Sequence, residues 1–288
     1  MKNILLLLLL ALTLQANSAL SIMREVYENN TYSNDDNFIL QRNHNVSTQL
    51  INLIDDKLFH MSFDYYSEKT DSGHNRFFVI KSGWLKNVKL HLQEEENKIT
   101  THVYVPSMRK TRNFPTPSKV ATWNGSAFNF GDLLFTKPAD ETHIELAKKI
   151  VEVDSDDLSI FGKPSDFKAH SKEFTVIQST PIDKEDYDFN YDYRLSYVYE
   201  GKDYKIEYFK DGTLFKTINK HHFQNSKHSL YWLAYNHVTK TKSLIYMPLE
   251  TQFINNNIQS GTFNVNNLKN KATIKKAFLN PIIMVRNL

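Results

Sequence analysis

Three histidines in the stretch HHFQNSKH are the residues whose type and spacing come nearest to a metal site: His221, His222 and His228. Imidazole is a common zinc ligand, but a zinc site also needs well-spaced partners such as cysteine or carboxylate side chains. The neighbours here are asparagine and lysine. The sequence therefore favours a histidine-rich turn between strands and no metal ion.

The motifs of covalent and nucleotide chemistry are absent from the sequence. It has no cysteine, no Gly-x-Ser-x-Gly nucleophile elbow, no Walker loop and no Gly-x-Gly-x-x-Gly. We therefore predict a protein that is not an enzyme, with no catalytic residue and no cofactor.

Three cations follow a proline at the end of a strand-like stretch, in HVYVPSMRKTRN. Arg109, Lys110 and Arg112 would form a basic corner where the predicted strand ends. A structural interpretation also stands, in which Arg109 and Arg112 pair with Asp132 or with backbone carbonyls.

Tyrosines alternate with other residues along two adjacent predicted strands, in YRLSYVYEGKDYKIEYF. A two-residue period predicts two matching sets: Tyr193, Leu195, Tyr197 and Tyr199, then Tyr204, Ile206 and Tyr208. The face is either ordinary core, because aromatic residues are good strand formers, or the semi-polar wall of a cavity for an apolar ligand. The pattern leaves both interpretations open.

Most of the remaining chain is predicted to form strands. Two-residue alternation recurs between short turns, with the tightest turns at Asp55-Asp56 and Asp211-Gly212. About ten strands and few helices predict an antiparallel sheet, closed or half closed. Apolar residues at helical spacing indicate a short helix over 20–30 and helical character around 144–151. The acidic run 94–96 is predicted to be a solvated hairpin tip, with a cation site as the less favoured alternative.

The first residues have the three parts of a secretory signal, namely Lys2, an apolar run from Ile4 to Leu14 and a small-residue exit. The apolar run is shorter than the roughly 20 residues that span a bilayer. We therefore predict a signal peptide over 1–19, cleaved near Ala19 or Leu20, and a single domain over 20–288. The formal charge of +3 is spread along the chain, so nucleic acid is not a predicted partner.

The basic stretch and the segment after it resemble a known family. The resemblance is carried by these residues: Val103, Tyr104, Val105, Pro106, Met108, Arg109, Lys110, Arg112, Gly125, Ser126, Phe128, Asp132 and Leu133. Their order is similar to that in the LolA-like family of outer membrane lipoprotein-sorting proteins, and DYKIEYFKDGTLFKTI and SGTFNVNNL are similar to later family segments. The chain departs from the family at Ala127 and Gly131, where carboxylates are expected, and at Trp123-Asn124 in place of Phe-Met.

The resemblance implies a mainly β fold, a curled antiparallel half-barrel around a hydrophobic cavity with a few helices as a lid, in the periplasm. It implies a carrier or chaperone that binds lipid or an acylated lipoprotein for transfer to the outer membrane, with an inner-membrane transporter or an outer-membrane acceptor as further partners. A regulatory domain that senses such cargo and signals to a protein partner is the alternative. The implied ligand-binding residues are Tyr104, Tyr193, Tyr197, Tyr199, Tyr204, Tyr208 and Phe128. The resemblance places Arg109, Lys110 and Arg112 at the rim, where they would meet an anionic headgroup or an acidic partner surface.

Overall fold

The strands form an antiparallel sheet that is not closed into a barrel. The computed structural model describes residues 18–29, 43–69, 73–95, 98–115, 118–134, 136–153, 158–163, 170–183, 189–222, 229–247, 252–254, 265 and 268. Within these ranges fifteen strands belong to one sheet, and the strands at the two ends of its order do not pair with each other. The predicted mainly β fold class is confirmed. No helix in the same ranges is long and apolar enough to cross a membrane.

The chain divides into two compact units, which we call unit 1 and unit 2. Unit 1 comprises Met1–Thr31, Asn52–Leu58 and Ser118–Leu244, and unit 2 comprises Tyr32–Ile51, Phe59–Pro117 and Ile245–Leu288. The predicted signal peptide and most of the C-terminal tail lie outside the described residues. The single domain over 20–288 stays a prediction.

Unit 2 holds most of the N-terminal strands. They are β1 (Asn43–Ile54), β2 (Lys57–Lys69), β3 (Gly73–Ile80), β4 (Lys89–Glu95), β5 (Lys98–Val105) and β6 (Lys110–Phe114), and they neighbour one another in that order. A 3-10 helix, Pro106–Met108, connects β5 to β6. Alternation places Phe77, His91 and His102 on one face of adjacent strands, and Phe78 and Leu90 on the other.

Unit 1 holds most of the later strands and two helices. The strands are β7 (Glu141–Glu145), β8 (Lys149–Val153), β9 (His170–Pro181), β10 (Tyr193–Tyr199), β11 (Lys202–Lys210), β12 (Thr213–His222), β13 (Ser229–Asn236) and β14 (Lys242–Tyr246). Strands β9 to β14 neighbour one another in order, and both β7 and β8 pair with β9. Helix α1 covers residues 18–29 and α2 is Phe130–Leu134. In unit 2, β15 (Gln252–Ile254) pairs with β1.

Both of the tight turns predicted from the sequence are confirmed. Asp55 and Asp56 have φ values of 48° and 60°, and Asp211 and Gly212 have φ values of 51° and 71°. Two successive residues at positive φ match the right-handed twist of the strands that they connect. These turns therefore fix the β1–β2 and β11–β12 connections locally.

Helix α1 packs its apolar stripe on β9 and β10. Met23 and Val26 are 3% and 2% exposed and form a cluster with Ile177 and Val198. Residues three apart lie on one side of a helix, so the stripe faces the sheet while the rest of α1 faces water. The helix predicted over 20–30 is confirmed.

The helical character predicted around 144–151 is wrong, because these residues form β7 and β8. Ile144 and Ile150 are 52% and 77% exposed, whereas the polar residues Glu141 and His143 are buried. Pairing along β9 satisfies the backbone of both strands and buries alternate residues. Strand preference depends on such neighbours more than on the local spacing of apolar residues.

The prediction of a solvated acidic tip is wrong for Glu94. Its carboxylate is buried and lies 2.8 Å from the guanidinium of Arg76, which is 1% exposed on the neighbouring strand β3. A charge that leaves water needs a charged or hydrogen-bonding partner, and the acidic run contained no sign of a partner 18 residues earlier.

The end of α1 is tied to the β10–β11 turn at Gly201, where the amide of Asn29 donates to the carbonyl oxygen at 2.7 Å. A Cβ at Gly201 would lie closest to the carboxylate of Glu25 and 2.7 Å from that amide nitrogen, whereas a Cβ at Gly212 would have nothing within 4 Å. Both glycines have positive φ. We therefore expect Gly201→Ala to destabilise the protein by about 1 kcal/mol more than the control Gly212→Ala, measured by urea unfolding. Equal losses would show that the contacts of Glu25 and Asn29 at Gly201 contribute nothing.

Candidate functional site

The buried face of unit 1 carries charged side chains where a sheet commonly carries aliphatic ones. Three ion pairs join Arg194 to Glu141, Lys216 to Asp132 and Lys220 to Asp203, and each of these side chains is at most 9% exposed. With Tyr191, Tyr208 and His222, which hydrogen-bond to them, we call these residues the polar network. Most of the network lies on strands β7, β10, β11 and β12, and Asp132 lies on α2.

Arg194 and Glu141 form the most enclosed pair. The Nε and one terminal nitrogen of Arg194 donate to the two oxygens of Glu141 at 2.9 and 2.6 Å, and the Tyr191 hydroxyl donates to the same carboxylate at 2.8 Å. Burial alone would raise the pKa of Glu141, but the charge and hydrogen bonds of Arg194 outweigh it and lower that pKa. The bidentate geometry holds β7 to β10 across the intervening strand β9.

Asp132 of α2 accepts hydrogen bonds from three directions. Lys216 of β12 reaches both carboxylate oxygens at 2.8 and 2.9 Å, the hydroxyl of Tyr208 on β11 donates at 3.0 Å, and the backbone N–H of Asn129 donates at 2.7 Å. One carboxylate therefore joins α2, the loop before it and two strands. The structural alternative in which Asp132 pairs with Arg109 or Arg112 is wrong.

The third group of the network lies where β11 meets β12. Lys220 donates to Asp203 at 2.7 Å, and a ring nitrogen of His222 lies 2.9 Å from the backbone oxygen of Asp203, which can only accept. Burial lowers the pKa of His222 to about 4, so the ring is neutral at physiological pH. His221 and His222 belong to β12, so the predicted turn is wrong for them, and His228 lies outside the described residues.

A pocket opens between α1 and the polar network. Met23 and Val26 form its apolar wall, and Arg194, Asp203 and Lys220 are part of its polar wall. Its volume is about 40 Å³, enough for a few water molecules and far below the roughly 300 Å³ at which ligand pockets begin. This pocket is therefore suited to water and not to an acyl chain.

The predicted tyrosine face is divided between the two faces of the sheet. In the β10–β11 pairing Tyr197 lies opposite Lys205, whereas Tyr208 lies opposite Arg194. Side chains of opposed residues share a face, so Tyr208 belongs with the polar network and Tyr197 does not. A register shift at Tyr197 leaves Tyr204 with the first set, beside Phe174, so the predicted matching set is wrong for Ile206 and Tyr208.

The predicted ligand-binding tyrosines differ in exposure. Tyr197, Tyr204 and Tyr208 are 6%, 8% and 5% exposed, while Tyr193 and Tyr199 are half-buried. The Tyr193 ring stacks on Phe209 at 4.7 Å between ring centroids. Their contact with cargo stays a prediction, and only the half-buried members offer ring surface without a change in packing.

The segment 123–133, which carries part of the resemblance to the family, forms a tight turn and helix α2 in unit 1. Phe128 is fully buried, Asn124 and Gly125 turn the chain at φ values of 50° and 70°, and the Ala127 N–H donates to the Ser243 hydroxyl at 2.9 Å. At Gly131, where the family pattern has a carboxylate, a Cβ would lie 3.2 Å from the Lys119 carbonyl oxygen. This backbone approach gives a steric reason for the glycine.

The basic corner and Tyr104 lie on opposite faces of unit 2. Tyr104 pairs with Thr111, whereas Arg112 pairs with Val103 and Lys110 with Val105. Tyr104 is half-buried and faces Leu268 and Val265, and Arg109, Lys110 and Arg112 are exposed. Within the described part of the chain these three cations form no ion pair, so their role at a rim stays a prediction.

The sequence interpretation missed most of the polar network. A signal was present, because Lys216, Lys220 and His222 recur at a two-residue period with Ile218 and therefore share a face. The partners on the other elements had no comparable signal. In the described ranges no three His, Asp or Glu side chains gather as metal ligands.

The comparisons with known proteins identify the fold. No family model and no curated protein matches the sequence. An outer membrane lipoprotein-sorting protein domain from Vibrio parahaemolyticus matches with a TM-score of 0.68 at 13% identity, over 88% of this chain and 99% of that chain. The chain has the LolA-like fold.

A second solved structure agrees with the first. A DUF1329 family protein from Desulfovibrio piger matches with a TM-score of 0.67 at 12% identity, again over 88% of this chain and 99% of that chain. At such identities the likeness shows the fold alone. The fold predicted from the resemblance is confirmed.

We expect the buried ion pairs to be sensitive to the loss of one partner. Lys216 and Lys81 both lie 2.8 Å from an aspartate, but the pair of Lys216 and Asp132 is 2% and 5% exposed and that of Lys81 and Asp64 is 50% and 19% exposed. Lys216→Met strands a buried carboxylate and should lower the free energy of unfolding by about 3–5 kcal/mol. Lys81→Met should change it by less than about 1 kcal/mol. Similar losses in urea unfolding would contradict the assignment of a desolvated network.

The neutral His222 predicts a loss of stability on mild acidification. The unfolded chain binds a proton near the ordinary histidine pKa of 6.5, and the folded chain binds it only near pH 4. Stability is therefore complete above pH 6.5 and falls as the pH drops towards 4, by about 2 kcal/mol at pH 5 from this residue. His222→Gln keeps a hydrogen-bond donor. It should remove this contribution to the difference in the free energy of unfolding between pH 7 and pH 5, measured with urea. The exposed His60→Gln serves as control, and an unchanged pH dependence in His222→Gln would contradict the prediction.

Proposed function

We propose that this protein is a periplasmic carrier or chaperone that binds lipid or acylated lipoprotein cargo in a hydrophobic cavity for transfer to the outer membrane. The observation that supports the proposal is the shared LolA-like fold, which extends over 88% of this chain and nearly all of a lipoprotein-sorting domain. Such a protein works by binding and release, which agrees with a sequence that offers no catalytic constellation.

The polar network restricts where an acyl chain can bind. Hydrocarbon placed against Arg194, Lys216 and Lys220 would gain little, because those side chains are held in ion pairs and their pocket is small. In unit 1 we therefore propose the opposite face of β10 as the acyl-contacting surface, where Tyr193 and Tyr199 are half-buried. Tyr104 provides a corresponding half-buried ring in unit 2.

The basic corner completes the proposal. Arg109, Lys110 and Arg112 are exposed and form no ion pair in the described residues, so their charges are available to an anionic group. We propose that they recognise an anionic headgroup or the acidic surface of a transfer partner.

Native mass spectrometry tests the cargo directly. The chain exported by its own signal and purified gently from the periplasm should carry lipid or acylated peptide adducts, and after their removal it should take up a fluorescent fatty acid. A protein recovered without adducts and unable to take up the probe would refute the carrier proposal.

A pair of variants tests the surface. Tyr193→Asp puts a charge that stays hydrated on a half-buried position and should reduce uptake of the fluorescent fatty acid about tenfold with the fold intact. Tyr65→Asp is the matched control, since Tyr65 is also half-buried but lies on β2 of unit 2, on the face opposite to Tyr104 and outside the predicted ligand set. Circular dichroism checks folding. Equal uptake by both variants would reject β10 as the acyl-contacting surface.

A further inference from the structure

One end of the sheet in unit 2 gathers two connections and the beginning of a strand. β3 ends at Ile80 and β4 begins at Lys89, so the connection 81–88, which we call the Trp84 loop, lies at this end. The turn 106–109 lies at the same end, because β4 and β5 run antiparallel and Lys89 lies opposite Tyr104. The first residues of β2 lie there too, since Phe63 is opposite Ile80.

The Trp84 loop holds its indole in water on a rigid support. Trp84 is 84% exposed. The Ser82 hydroxyl lies 2.8 Å from both the N–H and the hydroxyl of Ser62 on β2, and the N–H of Lys81 donates to the Ser62 carbonyl at 2.7 Å. The N–H of Lys86 closes the loop on the Gly83 carbonyl at 3.1 Å. An ordered loop that exposes a tryptophan has no folding reason to do so.

Two more apolar side chains are exposed at this end. Phe59 is 53% exposed at the start of β2, and Met108 is 41% exposed in the turn 106–109. The Trp84 loop touches the start of β2, because a Cβ at Gly83 would lie 3.5 Å from the carbonyl oxygen of His60. Strands in a sheet are about 4.8 Å apart, so the strands β2 to β5, at whose ends these residues lie, span about 15 Å.

Cations surround these apolar side chains. Lys86, Arg109 and Lys110 are exposed, and in the described residues none of them forms an ion pair. Lys81 is paired with Asp64 at 2.8 Å but remains half exposed. Burial and then the charge of Lys81 lower the pKa of Lys89 at the end of the loop.

We propose that this end of unit 2, formed by Phe59, Trp84, Lys86, Met108, Arg109 and Lys110, docks on the surface of an anionic lipid bilayer. An indole is suited to the boundary between headgroups and acyl chains, and cations nearby are attracted to anionic headgroups. Exposed apolar side chains on the start of β2 and on two connections, with exposed cations on the same two connections, match a fluid interface. The proposal does not rest on the cargo function, because a protein without cargo would bind vesicles equally well.

Vesicle binding tests the proposal. The full chain without residues 1–19 should bind vesicles of phosphatidylcholine with about one third phosphatidylglycerol, bind neutral phosphatidylcholine vesicles much less, and be released by high salt. Trp84→Ala should weaken binding about tenfold. The double variant Lys86→Gln, Arg109→Gln should weaken it about 25-fold, that is, about fivefold for each cation. Tryptophan emission should shift to the blue on binding, and Trp84→Phe should bind but lose the shift.

Matched controls lie far away in the sequence on unit 1. Val238 is 72% exposed, and Lys149 and Lys210 are exposed. Val238→Ser and the double variant Lys149→Gln, Lys210→Gln should bind the vesicles as the unaltered protein does. The proposal is overturned if the unaltered protein does not bind anionic vesicles, if it binds neutral vesicles as well, or if the controls lose as much binding as the variants. Binding to polyglutamate in place of vesicles, lost in the same variants, would also overturn it and assign the surface to an acidic protein.

Discussion

The carboxylate of Asp132 is the group on which most of unit 1 depends. It is buried, and it is satisfied only when α2, β11 and β12 are all in place, because Tyr208, Lys216 and the backbone of Asn129 reach it from different elements. A buried ion pair adds little to stability compared with a hydrophobic pair of the same shape, but a misplaced partner leaves a charge without compensation. The ion pair therefore selects one arrangement of these elements over others of similar hydrophobic burial.

The same constraint explains the remaining charges on this face. Arg194 and Glu141 connect β10 to β7, and Lys220 and Asp203 connect β12 to β11, so each pair joins elements that backbone pairing alone could hold in another register. A register slip of one residue would turn these charges to the wrong face. The apolar stripe of α1 then covers a face whose arrangement is already determined.

The sequence was sufficient where local chemistry decides the structure. The residue pairs Asp55-Asp56 and Asp211-Gly212 predicted the two tight turns, and apolar residues three apart predicted α1. It was insufficient where the deciding neighbour is distant. No local pattern pairs Lys216 with Asp132, 84 residues earlier, or shows that a register shift near Tyr197 puts Tyr204 and Tyr208 on opposite faces of the sheet. The fold class could therefore be predicted, and the polar network could not.

Under the proposed carrier function, the charged face and the exposed Trp84 loop would have different roles. Charges fixed in pairs cannot rearrange around different headgroups, so discrimination between cargoes would come from half-buried aromatic rings such as Tyr193, whose contacts are non-directional. A few exposed apolar side chains bury too little area to anchor a protein permanently. Salt weakens the attraction between the neighbouring cations and anionic headgroups. Attachment of this kind is reversible, and reversibility is what a protein needs if it is to leave one membrane surface with its cargo and reach another.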